Sequence, residues 1–208
     1  MTDTLTSIQT TATPLWLDTY VCQYQMADTT CCPEAILNAN RSNRWNQSAT
    51  TGGRSLYQRD SNQLHFMAAS PSVEHEPMLA FAQECLDHYC KERKQAGDVP
   101  RFGMGEGYSV LRYKPGEAYH AVHSDAGSGG PTANRHLTFT MFLNTVTDGG
   151  ELEFAEQGLK IQPVEGRAAI FPASWMYAHR SIPAVVDRYV FNVFYGFYAP
   201  VANDSRTS

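Results

Sequence analysis

Residues 136–143 read HLTFTMFL, and a second short run, ELEF at 151–154, follows the glycine pair Gly149-Gly150. β-Branched and aromatic residues favour strands, and glycine pairs mark turns between strands. Similar runs occupy residues 108–113, 168–171 and 189–198. Short strands spaced in this way predict antiparallel sheets arranged as a sandwich or barrel, with Gly149-Gly150 as a hairpin turn.

Two segments before these runs have helical patterns. The first starts around residues 29–34, where threonine hydroxyls precede Pro33, and is predicted to end near residues 38–42. The clearer one starts at Pro77 and ends before Gly97. Its apolar residues recur at helical spacing, at Met78, Ala82, Cys85, Leu86 and Tyr89. We expect an amphipathic helix that covers a sheet.

Length and composition favour one globular domain. The chain has 208 residues, 42% of them hydrophobic, which suits a single domain over residues 14–199. Within it we expect a helical support at about 14–100 and a β core at about 107–198. The polar ends, residues 1–13 and 200–208, are predicted to be flexible tails.

Charge and hydropathy exclude several classes of partner. The net charge is −5 and no run of lysine or arginine is present, so no nucleic-acid partner is expected. No apolar stretch is long enough to span a membrane, and the N-terminus does not resemble a secretion signal. We therefore expect a cytoplasmic protein without a membrane partner. The sequence does not indicate an oligomeric state.

The five cysteines are an odd number without regular spacing, which predicts reduced thiols. Cys85, His88 and Cys90 could be taken for a zinc site, but no second ligand cluster completes a set of four. Thiols that face the core of the predicted helix are the favoured interpretation.

The segment His123-Ser-Asp125 is the strongest candidate for metal binding. In an extended chain, residues two apart project from the same face, so the imidazole and the carboxylate can reach one ion. A third ligand must come from another strand, and His179 in WMYAHRS is the best candidate. Two histidines and one carboxylate form the facial triad of non-haem iron(II) oxygenases. A surface ion pair is the alternative interpretation of His123 and Asp125.

Arg188 opens the run RYVFNVFY, nine residues beyond His179. On a strand, Arg188, Val190, Asn192 and Phe194 share one face, which would place a guanidinium at the end of a largely apolar pocket. A guanidinium fork suits the bidentate capture of a carboxylate such as that of 2-oxoglutarate. Pairing of Arg188 with Asp187 or another surface acid is the alternative.

The stretch 107–198 resembles the catalytic domain of the prolyl 4-hydroxylase-like 2-oxoglutarate/Fe(II)-dependent dioxygenases. The resemblance rests on YKPGEAY at 113–119 before the His-x-Asp, on RHLTFTMFLN at 135–144, on DGGELEF at 148–154, and on the distal histidine with its basic residue. It implies a mainly β fold with flanking helices around a double-stranded β-helix, the jelly-roll or cupin-like core.

The same resemblance implies the roles of the site residues. Iron(II) would be held by His123, Asp125 and His179, and 2-oxoglutarate by Arg188 and Tyr113. Asn192 and Thr138 are further candidates for contacts with the cosubstrate. Four aromatic side chains are expected to line the cavity: Phe139, Phe171, Phe194 and Trp175. The glycine-rich segment 124–133 is either a flexible connection or a substrate lid.

The implied activity is hydroxylation, most simply of proline in a peptide, in a protein or as the free amino acid. Decarboxylation of 2-oxoglutarate to succinate would be coupled to C–H hydroxylation by an Fe(IV)-oxo species, with O2 as oxidant and ascorbate as a candidate addition. Alternatives are hydroxylation of another small molecule or amino acid, nucleic-acid demethylation, and a non-catalytic metal-binding β-sandwich. Halogenation is disfavoured because Asp125 occupies the position that a halide would need.

One departure from the family pattern concerns the metal ligands. The family has two residues between its second tyrosine and the metal histidine, whereas three separate Tyr119 from His123. A bulge or shift is therefore expected, and His120 is a competing ligand.

Overall fold

The computed structural model describes residues 14–48 and 58–198, so the tails predicted at 1–13 and 200–208 lie outside the described residues. The described chain is mainly β. Its strands are β1 (Leu15–Trp16), β2 (Cys22–Gln25), β3 (Asn46–Gln47), β4 (Asn62–Phe66), β5 (Phe102–Gly103), β6 (Tyr108–Tyr113), β7 (Arg135–Phe142), β8 (Leu152–Phe154), β9 (Leu159–Ile161), β10 (Arg167–Pro172), β11 (Arg180–Ser181) and β12 (Arg188–Phe197). Its helices are α1 (Cys31–Ser42), α2 (Glu76–Glu92) and α3 (Lys94–Gly97).

The strands form a large sheet and a small one. In the large sheet the order is β1-β2-β10-β7-β12-β6-β4-β3, with β5 paired to β12, and in the small sheet it is β11-β8-β9. The strand pairs are antiparallel. Two facing antiparallel sheets with helices on the outside make a jelly-roll core, so the predicted fold class is confirmed.

Strand β7 separates two cores because its side chains alternate between the faces of the large sheet. Leu137, Phe139 and Met141 belong to the cluster on the helix side, whereas Phe142 belongs to the cluster between the sheets. Thr138 and Thr140 face the space between the sheets. The polar side chains of β7 therefore point into a cavity rather than into a dry core.

Helix α2 covers the outer face of the large sheet. Each of its predicted core residues is buried: Met78, Ala82, Cys85, Leu86 and Tyr89. Phe81 joins them and meets Phe139 edge to face, with ring centroids 6.1 Å apart. The expected amphipathic helix and its core-facing Cys85 are confirmed, and the five cysteines are free thiols. None of the described helices has the length and apolarity needed to cross a membrane.

Two expectations about the fold are wrong. The segment before residue 100 is more than a helical support, because β1 to β4 add strands to both ends of the large sheet. These strands have two to five residues, too few for their alternation to be visible in the sequence.

The glycine pair does not form a hairpin between β7 and β8, since these strands belong to different sheets. Gly149 and Gly150 have φ angles of 75° and 80° in the connection that crosses between the sheets. Such positive angles are accessible to glycine without strain. A Cβ atom at Gly149 would also overlap the carbonyl oxygen of Pro183, so the crossing requires glycine for two reasons.

Candidate metal centre

Backbone pairing brings His123 and His179 together. The amide of each donates to the carbonyl of the other, both at 2.9 Å, and the imidazole centroids lie 4.5 Å apart. Asp125 completes the cluster, with carboxylate oxygens 3.7 Å from His123 Nε2 and 3.6 Å from His179 Nε2. One candidate ligand atom from each residue lies within 4.8 Å of the others. The three residues predicted as metal ligands therefore converge.

Hydrogen bonds orient each of the three side chains. His123 Nδ1 lies 3.1 Å from the carbonyl oxygen of Ala121, and His179 Nδ1 lies 3.0 Å from that of Tyr177. A carbonyl can only accept, so each Nδ1 carries the proton and each Nε2 presents a lone pair to the cluster. The Thr138 hydroxyl donates to Asp125 Oδ2 at 2.7 Å. This donor set fits a divalent transition metal.

The electrostatics of the cluster favour the protonation states that bind metal. Burial, together with the positive charge that His179 can carry, lowers the pKa of His123 to about 4. Burial alone would raise the pKa of Asp125, but His179, His123, the Thr138 hydrogen bond and Arg135 outweigh it and lower that pKa. At neutral pH the His123 ring is neutral and Asp125 is ionised, as metal ligation requires.

The extra residue before His123 is absorbed by a bulge. The Ser181 amide donates to the Tyr119 carbonyl and the Tyr119 amide donates to the Ser181 hydroxyl, while His123 and His179 pair through their backbones. The chain advances four residues from Tyr119 to His123 but only two from His179 to Ser181. Residues 120–122 therefore bulge outward, and Val122 is 52% exposed. His120 is not part of the converging group found among the described residues. The expected bulge is present, and His123 is the histidine that the geometry favours.

The Tyr119 ring supports His123 from one side. The two rings are stacked, with centroids 3.4 Å apart and planes inclined by 12°, and the Arg59 guanidinium lies 5.1 Å from the Tyr119 centroid. Stacking against a tyrosine restricts rotation of the imidazole. Tyr119, the second tyrosine of YKPGEAY, therefore helps to orient a candidate ligand.

A cavity of about 290 Å³ extends from the cluster between the two sheets. Arg188 lies at one end of it, 2% exposed, with its guanidinium 4.1 Å from the centroid of the Tyr113 ring. Its Nη1 donates to the carbonyl oxygen of Gly150 at 2.7 Å, while its Nε has no partner. No carboxylate within residues 14–48 and 58–198 forms a salt bridge with it, so the alternative pairing with Asp187 is not observed.

A buried guanidinium without a carboxylate partner is costly, and burial lowers the pKa of Arg188. Bringing an anion into the cavity would relieve that cost. The stem of Arg188 has room because Gly150 lacks a side chain, since a Cβ there would lie 3.2 Å from Arg188 Cδ. The cavity can therefore receive an acid whose carboxylate meets Arg188.

The wall between Arg188 and the cluster is apolar. Its side chains come from both sheets: Leu111, Phe142, Leu152, Phe171 and Val190. Phe171 and Phe194 line the cavity as expected. Two expectations are wrong: Phe139 packs on the helix side of β7, and Trp175 lies on a short 3-10 turn with 78% of its surface exposed.

The two weaker cosubstrate candidates have partners of their own. The hydroxyl of Thr138 is directed at Asp125, so it positions a candidate ligand. Asn192 lines the cavity, and its Oδ1 accepts from the Thr140 hydroxyl at 2.6 Å. Neither side chain contacts Arg188 in the structure.

Arg135 and Glu106 form an ion pair next to Asp125 that was not among the residues predicted from the sequence. Arg135 donates to both carboxylate oxygens of Glu106, at 2.9 and 2.6 Å, and to the carbonyl oxygen of Asp125 at 3.1 Å. It also lies 3.6 Å from the centroid of Phe194. Arg135 could have been singled out in the sequence, because it is a charged residue at the start of an apolar strand. Nothing in the surrounding GMGEG pattern marked Glu106.

Known proteins resemble this chain in sequence over the core and in structure over most of its length. Residues 108–196 match the family described as the 2OG-Fe(II) oxygenase superfamily. No curated protein matches the chain.

Three of the similar solved structures are prolyl hydroxylases. A viral collagen prolyl hydroxylase from Paramecium Bursaria Chlorella virus-1 has 21% identity and a TM-score of 0.63, covering 86% of this chain and 97% of its own. A Trichoplax adhaerens prolyl hydroxylase, bound to a hypoxia inducible factor peptide fragment, has 19% identity and a TM-score of 0.68, with coverage of 85% and 83%. A Pseudomonas putida prolyl-4-hydroxylase has 18% identity and a TM-score of 0.67, with coverage of 87% and 95%. At these identities the likeness establishes a shared fold.

The competing histidines can be separated by metal affinity. We expect His123→Ala to weaken Mn²⁺ binding by more than the roughly 10–100-fold typical of outer-shell partners, because it removes a ligand. The matched variant His120→Ala, which alters a histidine outside the cluster, should bind Mn²⁺ as the unmodified protein does. Isothermal titration calorimetry measures both. Equal losses in the two variants would contradict the assignment of His123.

Proposed function

We propose that the protein is an Fe(II)/2-oxoglutarate dioxygenase, since residues 108–196 match the 2OG-Fe(II) oxygenase superfamily, and that it hydroxylates proline. The proposal for the site is that iron(II) is held by His123, Asp125 and His179 and that 2-oxoglutarate is held by Arg188 and Tyr113. The observation that carries it is the buried Arg188 guanidinium, which forms no salt bridge in the described chain and whose Nε has no hydrogen-bond partner, in a cavity that also contains the His-Asp-His cluster.

When bound, iron(II) supplies the redox chemistry that couples O2 and the decarboxylation of 2-oxoglutarate to the oxidation of a C–H bond. The protein's part is to bind and orient the reactants. His123, Asp125 and His179 would hold the ion as a facial triad, a donor set that would leave coordination positions for other ligands. Thr138 holds the Asp125 carboxylate in place through its 2.7 Å hydrogen bond.

Arg188 and the apolar wall together suit a short dicarboxylic acid. The guanidinium offers parallel N–H donors to the distal carboxylate, and its positive charge in a buried setting strengthens that contact. Phe142, Val190 and Leu111 are buried apolar side chains that line the cavity and would face the methylene groups of the diacid. Tyr113 packs against the guanidinium, which restricts its rotation. Each part of the cavity therefore matches one part of 2-oxoglutarate.

Proline is proposed as the substrate residue because the similar solved structures are prolyl hydroxylases, one of them bound to a peptide fragment. Substrates of other kinds use the same iron chemistry, so the choice rests on this likeness. The implied role of ascorbate remains a prediction from the family resemblance.

The cosubstrate site can be tested under anaerobic conditions. Addition of Fe(II) and 2-oxoglutarate should produce the visible charge-transfer band of a chelated keto acid. Arg188→Ala should weaken 2-oxoglutarate binding about 100-fold or more, because two charge-assisted hydrogen bonds are lost, and Arg188→Lys should restore part of the affinity. Arg167→Ala, an arginine outside the cavity, is the control. A folded protein that gives no band would exclude the proposed site.

The choice of proline needs a product assay. With Fe(II), 2-oxoglutarate and O2, we expect proline, free or within peptides, to gain one oxygen atom while an equivalent amount of succinate forms. Mass spectrometry of the proline product and quantification of succinate check both. Asp125→Ala should abolish the two products together while retaining the fold, as measured by circular dichroism. Succinate without oxidised proline in any form would refute the choice of proline.

A further inference from the structure

Glu106 and Arg135 form an ion pair in the cavity that the proposed chemistry does not use. Arg135 Nε and Nη2 donate to the two carboxylate oxygens of Glu106 at 2.9 and 2.6 Å. Both side chains line the cavity, and the Arg135 side chain is 15% exposed and that of Glu106 23%. A bidentate pair with so little exposure is better defined in geometry than a pair on the open surface.

The turn that carries Glu106 is anchored to the large sheet at both ends. Before Glu106, β5 pairs with β12, and the amide of Gly105 donates to the carbonyl oxygen of Gly103 at 2.9 Å. After it, β6 begins at Tyr108 and pairs with β12 as well. The Glu106 carboxylate therefore projects from a short connection with little freedom to move.

Three contacts set the orientation of the Arg135 guanidinium. Glu106 occupies Nε and Nη2, and the Phe194 ring centroid lies 3.6 Å from the guanidinium carbon. The remaining nitrogen, Nη1, donates to the backbone carbonyl oxygen of Asp125 at 3.1 Å. Because the guanidinium is planar, a partner along one edge and a ring on one face fix where its other donors point. Arg135 thus joins the turn before β6 to a proposed metal ligand.

The same guanidinium could otherwise pair with the Asp125 carboxylate. The carbonyl and carboxylate oxygens of one aspartate are roughly 3–5 Å apart by covalent geometry, so a small movement of Arg135 would exchange one for the other. A guanidinium bonds more strongly to an ionised carboxylate than to a neutral carbonyl. Yet in the part of the chain that the structure describes, Arg135 forms its salt bridge with Glu106 and none with Asp125.

Capture of the Asp125 carboxylate by Arg135 would oppose metal binding in two ways. The carboxylate has to present its oxygens to the ion, and Thr138 already donates to Oδ2. A cation without a counter-charge would also repel a divalent ion in this buried setting. Glu106 counters both effects, because it neutralises Arg135 and occupies two of its donor nitrogens.

We propose that Glu106 positions the metal centre through Arg135: it holds the guanidinium on the backbone carbonyl of Asp125 and keeps it from pairing with the carboxylate that binds the metal. Glu106 is then a positioning residue and not a ligand. This inference rests on the metal centre of the proposed function and explains how its carboxylate stays available.

The central test is the Mn²⁺ affinity of Glu106→Gln, measured by isothermal titration calorimetry. The substitution keeps the size of the side chain and one acceptor oxygen but removes the negative charge. We expect the affinity to fall by roughly 10–100-fold, the range typical of outer-shell partners, because the freed guanidinium competes for Asp125. Glu156→Gln, the same change at an exposed glutamate outside the cavity, is the control and should bind Mn²⁺ as the unmodified protein does.

Two further variants separate competition by Arg135 from a structural role of the ion pair. Arg135→Gln removes the competing cation, so it should weaken Mn²⁺ binding less than Glu106→Gln does. Glu106→Gln/Arg135→Gln should recover most of the affinity lost in Glu106→Gln, a coupling that the double-mutant cycle quantifies. A pair that served only to join two segments would lose affinity equally from either side and would show no recovery in the double variant.

Circular dichroism and thermal melting of the metal-free proteins complete the comparison. We expect Glu106→Gln to melt close to the unmodified protein, because an ion pair that keeps some solvent contact contributes little to stability. Unchanged Mn²⁺ affinity in Glu106→Gln, a double variant that binds as weakly as Glu106→Gln, or a Glu106→Gln protein that does not fold would each overturn the proposal. An unmodified protein that binds no Mn²⁺ would instead refute the metal centre itself, and the positioning role with it.

Discussion

The reciprocal backbone bridge between His123 and His179 is the contact on which the site depends. Two hydrogen bonds of 2.9 Å hold the segment after β6 against the segment that leads into β11. Because side chains alternate along paired strands, a slip of one residue would turn one imidazole away from the other. The bulge at residues 120–122 accommodates the extra residue within this register. The position of Asp125 and its bond from Thr138 follow from the same register.

Alternation along the strands also divides the cavity floor into zones. On one face of β12, Arg188, Val190, Asn192 and Phe194 follow one another, so a cation, an apolar strip, an amide and an aromatic ring succeed each other towards Asp125. Neighbouring strands repeat this order in register, as Phe142 and Thr140 do on β7. A short diacid that reaches from Arg188 towards Asp125 would therefore meet the cation, the apolar strip and the amide in turn. The opposite face of the same strands packs on α2 and stabilises the sheet.

Much of this was predictable because periodicity and spacing are local properties. The face of α2, the five core strands, the three converging residues and the shared face of Arg188 and Asn192 all followed from the sequence. The element that covers each face of β7 was not predictable: alternation places Phe139 and Thr138 on opposite faces, but no local pattern shows which face meets α2 and which lines the cavity. The role of Gly149-Gly150 depended on which sheet receives β8. The Glu106–Arg135 pair joins residues 29 apart, a contact that no local pattern encodes.

The most direct test of the proposed site is an anomalous-diffraction map, at the iron absorption edge, from crystals grown anaerobically with Fe(II) and 2-oxoglutarate. We predict a single strong peak bounded by His123 Nε2, Asp125 and His179 Nε2, with the keto acid on the metal and its distal carboxylate paired with Arg188. A peak coordinated by His120, or a cosubstrate whose distal carboxylate lies away from Arg188, would contradict it.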